Sequence, residues 1–219
     1  MQFEELAELI RTRRSIRKYK PADVPDEMLL KAIDLATWAP NGGNFQPWQY
    51  VVVKNKSVIN QIADAFDERS RLMASWPEAE PFREHADRWI AKGSFFRYAP
   101  ACIAVMVGHY QSVADRMLAA RIAQNDPVAK EMYEWRRFGA TRIQTIGGAI
   151  ENLLLALHQQ GLGACWMAGP QQCKGDVERI LGIDTTQFDF VALVPVGWPD
   201  EEKTGGARKP LDQVVRFIR

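Results

Sequence analysis

The stretch that most constrains the fold is Ala101–Val107, a run of apolar residues with no polar interruption, preceded by Pro100. A half-buried strand alternates apolar and polar side chains, so an unbroken run of this length reads as a strand buried on both faces. Phe190–Val196 reads as another buried strand, and Trp48–Val53, rich in aromatic and β-branched residues, as a third. Helical stripes supply the cover. The clearest is Ile143, Ile146, Ile150, Leu153, Leu154 and Leu157, which is expected to be the central helix. Others are Met28, Leu29, Ala32, Ile33 and Ala36, opened by Pro25-Asp26-Glu27, and Val58, Ile62, Ala65 and Phe66 within 57–72. Phe3, Leu6, Leu9 and Ile10 share one face of a first helix, and Val177–Leu181 forms a short late one. Gly147-Gly148 lies inside the central stripe, where each glycine costs about 1 kcal/mol relative to alanine. The pair points to close approach by another backbone, such as the matching helix of a second subunit.

No linker, repeat or low-complexity run divides residues 1–219, so one domain is expected. Residues 75–98 interleave aromatics with charges and prolines and read as irregular with some helix. Residues 109–140 are charged and mostly helical, anchored by Met117, Leu118, Met132, Trp135 and Phe138; they read as a lid or an interface arm, or as a plain surface hairpin. The tail, 198–219, is polar through Pro210 and then apolar at Leu211, Val214, Val215, Phe217 and Ile218, a strip suited to docking on a partner. A net charge of +1 argues against nucleic-acid and membrane partners. With no signal-like or membrane-length apolar run, and with Cys102, Cys165 and Cys173 unpaired by any CxxC spacing, the expectation is a cytoplasmic protein with reduced thiols. His85, His109 and His158 show no ligand spacing, so no metal site is expected.

Against that neutral background, Arg13-Arg14-Ser15-Ile16-Arg17 concentrates guanidinium groups with no acid between Arg11 and Pro21. Permanently charged planar forks repel one another unless an anion sits among them, and a phosphate on a bound small molecule is the simplest one. A solvated basic helix end is the alternative. Asn41-Gly42-Gly43-Asn44-Phe45-Gln46-Pro47 is an amide-rich, glycine-rich loop leading directly into a strand. Gly161-Leu162-Gly163 ends the central helix, Ala164–Gly169 follows as a short strand or extended loop, and Arg208 lies in the tail.

In this order and spacing the pieces resemble the FMN-dependent nitroreductase family: the arginine cluster, Ala39–Trp48, Glu151–Ala156 with Gly161–Gly163 and Trp166–Gly169, and Pro195-Val196-Gly197 with Arg208. The resemblance implies an α+β fold, with a central, mostly antiparallel sheet flanked by helices and the long central helix at a homodimer interface. It implies two flavins at that interface and a tail, 198–219, wrapping the partner. Carried over by position, Arg13, Arg14, Ser15 and Arg17 hold the FMN phosphate and the pyrimidine side of the ring, and Arg208 closes on the phosphate. Pro40, Asn41, Gly42, Asn44 and Gln46 line the flavin, in part across the subunit boundary. Trp166, Met167, Ala168 and Gly169 pass its reactive edge, where a backbone N–H can reach N5.

No side chain is expected to be catalytic in its own right. Hydride passes from NAD(P)H through flavin N5 to a small oxidising substrate such as a nitroaromatic or quinone, with Arg17 as electrostatic stabiliser. The alternatives are a flavin- or nucleotide-binding module without turnover, or a specialised member acting on halogenated aromatics or on the flavin itself. A nucleic-acid or phosphopeptide arm is a third reading, opposed by the neutral total charge. Asn41 stands where the family usually has serine, Ala168 where some members have glutamate, and Gly206 where some have lysine, leaving Lys203 or Lys209 as substitutes.

Overall fold

In the computed structural model, which describes residues 2–219 and leaves Met1 outside, Ala101 to Val107 are each at most 1% exposed. They belong to β2 (Ala101–Gly108), flanked by β1 (Trp48–Val53) and β4 (Phe188–Gly197), with the short β3 (Gly163–Ala164) beyond. The order is β1-β2-β4-β3 and every pair is antiparallel. Among the described residues eight α-helices accompany it: α1 (Phe3–Thr12), α2 (Asp26–Ala36), α3 (Lys56–Ser75), α4 (Arg83–Gly93), α5 (Val113–Ile122), α6 (Pro127–Gly139), α7 (Thr141–Gln159) and α8 (Lys174–Leu181). None is long and apolar enough to cross a membrane.

The alternation of strand side chains divides the interior in two. Ile103, Val105 and Val107 turn to one face with Val194 and Val196, where α2 and α7 close a core through Leu29, Ile146, Ile150 and Leu153. Cys102, Ala104 and Met106 turn to the other with Phe190 and Leu193, beneath Ile59, Ile62 and Phe66 of α3 and Val177 of α8. Full burial of a large apolar side chain stabilises by about 1.5–3 kcal/mol, so these two layers dominate the folding free energy. A bulge between Val105 and Met106 lets Val191 join Ala192 on the α7 side.

Residues 75–98 are more helical than their composition suggests: a 3-10 turn at Pro77–Phe82, then α4, then a second 3-10 turn at Phe95–Tyr98. Both prolines fall inside the short 3-10 turn, so α4 itself is uninterrupted. Phe96 is fully buried and sets its ring edge-on to Phe66 at 6.1 Å, which makes it a core residue. Arg97 ties the segment to α3 through Asp67 at 2.8 Å and Asp64 at 3.1 Å.

The 109–140 segment is a two-helix arm. Within it, Ser112 caps α5 and Arg136 reaches across to Asp115 at 2.8 Å. Its base is pinned by one carboxylate: Asp189 takes His109 at 2.9 Å and Arg142 at 3.4 Å, one from each end of the arm. Trp135 and Phe138 are exposed on it. α1 keeps the expected apolar stripe, but none of its residues is buried within the chain, and the apolar strip of the tail is equally open.

Candidate active site

The arginine segment is stitched to the edge of the sheet. α1 ends at Thr12, Arg13 leaves in extended backbone, and Ser15 forms a parallel bridge to Ala164 of β3, with the Ile16 N–H donating to the Ala164 carbonyl at 3.0 Å. Further along, Tyr19 bridges Pro199 and the Lys20 N–H donates to the Trp198 carbonyl at 2.9 Å. The tail therefore begins beside the arginines. The Tyr19 hydroxyl donates to the Ile16 carbonyl at 2.6 Å, and burial pushes its acidity far out of reach, so it acts as a fixed donor.

Between the end of α1, the end of α7 and the tail lies a cleft of about 250 Å³, lined among others by Thr12, Arg13, Arg14, His158, Glu201 and Lys203. Arg14 donates to the carbonyls of Arg11 and Arg13, the second at 2.7 Å. The Nε groups of Arg13 and Arg14 are buried without a hydrogen-bond partner among the described residues. Arg13 Nε has only a loose ion pair to Glu151, at 3.5 Å. Gly205 lies against the Arg14 guanidinium so closely that a Cβ there would collide with it. Lys203 Nζ reaches the Ser15 carbonyl at 2.9 Å and Glu201 at 3.1 Å.

Glu201, 16% exposed at its side chain, accepts from the backbone N–H groups of Arg17 and Lys18. Burial opposes its ionisation, but those N–H donors and Lys203 outweigh it and hold the carboxyl below the usual range. Arg13, Arg14 and Lys203 set against Glu201 leave two positive charges in the cleft lining, which matches a phosphate monoester dianion. An unpaired buried donor is costly, so the orphaned Nε groups fit a ligand rather than an empty surface.

Beyond the cleft, Arg17 places its guanidinium 5.8 Å from the centre of the Phe95 ring and donates to the Ser15 carbonyl at 3.3 Å. Cys165 sits beside Ser15; burial raises its thiol against the pull of Arg17, so it stays protonated at neutral pH. Met167 pairs in both directions with Leu193, at 2.9 and 3.0 Å, so its N–H is committed to the sheet. The N–H groups of Trp166 and Ala168 enter no hydrogen bond among the described residues, and strand alternation turns them away from β4. The Trp166 ring lies over Gly147 and Ala39 over Gly148, both at ordinary contact distance, so nothing within the chain itself requires that glycine pair. Arg208 is exposed, its guanidinium on the Gly206 carbonyl at 3.1 Å.

The Pro40–Gln46 loop occupies a different place. Asn41 closes it, accepting from the Gln46 N–H at 2.9 Å; Gly43, Asn44 and Gln46 all take left-handed backbone, at φ 62°, 53° and 52°. Phe45 stacks on Tyr110 at the base of the arm, 4.4 Å between centroids. α7 measures how far the loop's end stands from the arginines. Arg142, near its start, bonds the carbonyl of Gly108, whose N–H bonds Pro47; His158, near its end, bonds Thr12. At 1.5 Å per residue those points lie about 24 Å apart.

The model of the family described as "Nitroreductase family" matches residues 10–198. This chain belongs to the nitroreductase family. An "NADH dehydrogenase" of Thermus thermophilus is 28% identical over 211 residues, covering 93% of this chain and 91% of that protein. Among solved structures, a BluB-like flavoprotein from Clostridium difficile 630 superposes with a TM-score of 0.85 at 26% identity, covering 100% of both chains. An iodotyrosine deiodinase bound to FMN and 3-iodo-L-tyrosine superposes at 0.72 with 21% identity, covering 98% of this chain and 99% of that one. The antiparallel sheet flanked by helices is thus the nitroreductase fold.

Within that fold, Arg13 and Arg14 line one cleft, Arg17 lies beyond it and Arg208 is exposed on the tail, whereas the amide loop of the same chain ends at the far end of α7. Of the two lysines considered as substitutes at the Gly206 position, Lys203 lines the cleft. His158 and Glu201 escaped sequence reasoning because only the fold brings them to Arg13 and Arg14. The helix-ending Gly161-Leu162-Gly163 next to His158 was the one local signal available.

Proposed function

We propose that this chain is an FMN-dependent oxidoreductase that moves hydride from NAD(P)H to a small oxidising substrate such as a nitroaromatic or a quinone, working as a cytoplasmic homodimer. The observation that carries the reading is the pair of buried guanidinium nitrogens without a hydrogen-bond partner among the described residues, on Arg13 and Arg14, in a cleft whose lining is net positive. The flavoprotein and NADH dehydrogenase names among the relatives agree with it.

Bound FMN supplies a ring that accepts hydride at N5 and returns it, chemistry that no side chain here performs. Arg13, Arg14, Ser15 and Lys203 hold the phosphate, and Arg208 closes over it from the tail. Arg17 sets a permanent positive charge at the pyrimidine side, where it stabilises negative charge that accumulates on reduction. The free N–H of Trp166 or Ala168 serves the ring edge, with Met167 and Gly169 framing it. Pro40, Asn41, Gly42, Asn44 and Gln46 act on the flavin of a second copy: the Pro47 end of their loop stands at the opposite end of α7 from the arginines, although Ala39 at its start packs midway along that helix. The exposed stripe of α1 and the apolar tail give that second copy a surface to cover. Three buried free thiols suit a reducing compartment.

Anaerobic addition of NADH or NADPH to the yellow protein tests the reaction. The visible flavin band is expected to bleach and to return on adding a nitroaromatic or a quinone, with 3-iodotyrosine as a third arm. A coloured protein that neither nucleotide bleaches would be a binding module instead. Arg17→Ala is expected to slow bleaching about tenfold or more, the lower end of the range for one charge-assisted hydrogen bond; bleaching at the unchanged rate removes Arg17 from the assignment.

A further inference from the structure

His158 stands in the last turn of α7 and lines the same cleft as Arg13 and Arg14. Its Nε2 is 2.9 Å from Thr12 Oγ1. The single Thr12 hydroxyl proton is best spent on the Glu8 carbonyl, at 2.7 Å, so Oγ1 accepts and the imidazole carries its hydrogen on Nε2. That leaves Nδ1 with a bare lone pair, and no hydrogen bond among the described residues uses it.

We propose that His158 is a further member of the phosphate site, taking up a proton at Nδ1 from solvent when a phosphate monoester dianion enters, and so adding a third kind of cation to the cleft. The inference rests on the reading that the cleft holds the FMN phosphate. The charged groups around the ring come from every side. Arg13 and Arg14 approach from the end of α1, Lys203 and Glu201 from the tail, and Glu151, on α7 itself, reaches the cleft through Arg13. The carbonyl end of α7 favours a cation at this position. Without an anion, burial and then the two arginines win, holding the imidazole below the ordinary histidine range. A dianion cancels the arginine repulsion and leaves the helix end and the anion itself acting in one direction, toward the imidazolium. No bond to the phosphate is made or broken; one proton leaves solvent and is held on Nδ1.

Proton uptake reads this directly. Flavin-free protein is titrated with FMN by calorimetry at about pH 7.5, where the free phosphate is already a dianion. Buffers of different ionisation enthalpy report the protons exchanged, and His158→Gln, which keeps an amide donor toward Thr12, is titrated alongside. The expected result is uptake of about half a proton or more per FMN by the wild type, and almost none by the variant. Wild-type affinity then falls roughly three- to tenfold per pH unit above neutrality, while that of the variant stays nearly flat. Tight FMN binding without uptake overturns the role of His158 and leaves the FMN reading intact, as does uptake that persists in His158→Gln. Failure of the wild type to bind FMN overturns the cofactor reading itself.

Discussion

Arg13→Ala combined with Arg14→Ala is expected to weaken FMN binding by about a hundred- to ten-thousandfold, since each charge-assisted hydrogen bond contributes about 1.5–3 kcal/mol. The same variant is expected to be no less stable than the wild type when both lack flavin. In the flavin-free protein the two guanidinium groups repel each other, and each keeps a buried Nε that nothing satisfies. Removing them relieves that cost, which offsets the loss of the Arg14 bonds to the Arg11 and Arg13 carbonyls and of the loose Arg13–Glu151 pair. Equilibrium dialysis against FMN and a denaturant titration of the flavin-free proteins measure the two quantities separately. Lost affinity with retained stability marks a binding cluster; lost stability with little change in affinity marks a structural one.

Gly163→Ala is expected to damage both stability and flavin binding, through a residue that touches no ligand. A Cβ at this position would lie 2.8 Å from Ile16 Cβ and Cγ2, close to the branch point of a stiff side chain rather than at a flexible tip. Relief therefore requires the backbone around Ile16 to move, which pulls on the Ser15–Ala164 bridge that aligns the arginines. Overpacking of this kind costs about 1–3 kcal/mol. A displacement of the arginine segment should add at least a tenfold loss in FMN affinity, the size of one charged hydrogen bond. Adding Ile16→Gly to Gly163→Ala removes the Cβ and both γ carbons and opens the space again, so a double-mutant cycle on melting and on FMN content should show strong favourable coupling. Additive losses in the cycle would mean that Gly163 and Ile16 act independently and that the bridge does not position the site.

How much of this was legible in the residues depended on whether a signal was local. The run from Ala101 to Val107 reads as a doubly covered strand and is one, and the stripe from Ile143 to Leu157 reads as the central helix and lies on α7, buried from Ile146 onward with Ile143 exposed at its start. The arginine cluster announced an anion because no acid sits within it in sequence, yet the fold does bring one: Glu201 folds back onto the Arg17 and Lys18 N–H groups. Glu201, Lys203 and His158 lie far from Arg13 along the chain, and no periodicity predicts that a tail and a helix end will converge there. Residues 75–98 were hard to read because their apolar side chains are spaced for short 3-10 turns around one helix, and their charges pair within the segment, as Arg83 with Glu80 and Arg88 with Glu84, or reach α3 through Arg97. The stripe of α1 shows another limit. Sequence reveals that a face is apolar, whereas whether it meets the chain's own core or another molecule is decided by the tertiary structure.

The central claim is that the cleft at Arg13 and Arg14 recognises a phosphate on a flavin. FMN and riboflavin share the same ring and differ by that phosphate, so parallel titrations of the flavin-free protein isolate it. FMN is expected to bind at least about a hundredfold more tightly than riboflavin, as two or more charge-assisted hydrogen bonds require. Equal affinities would contradict the account, since the arginines would then be contributing nothing to flavin recognition.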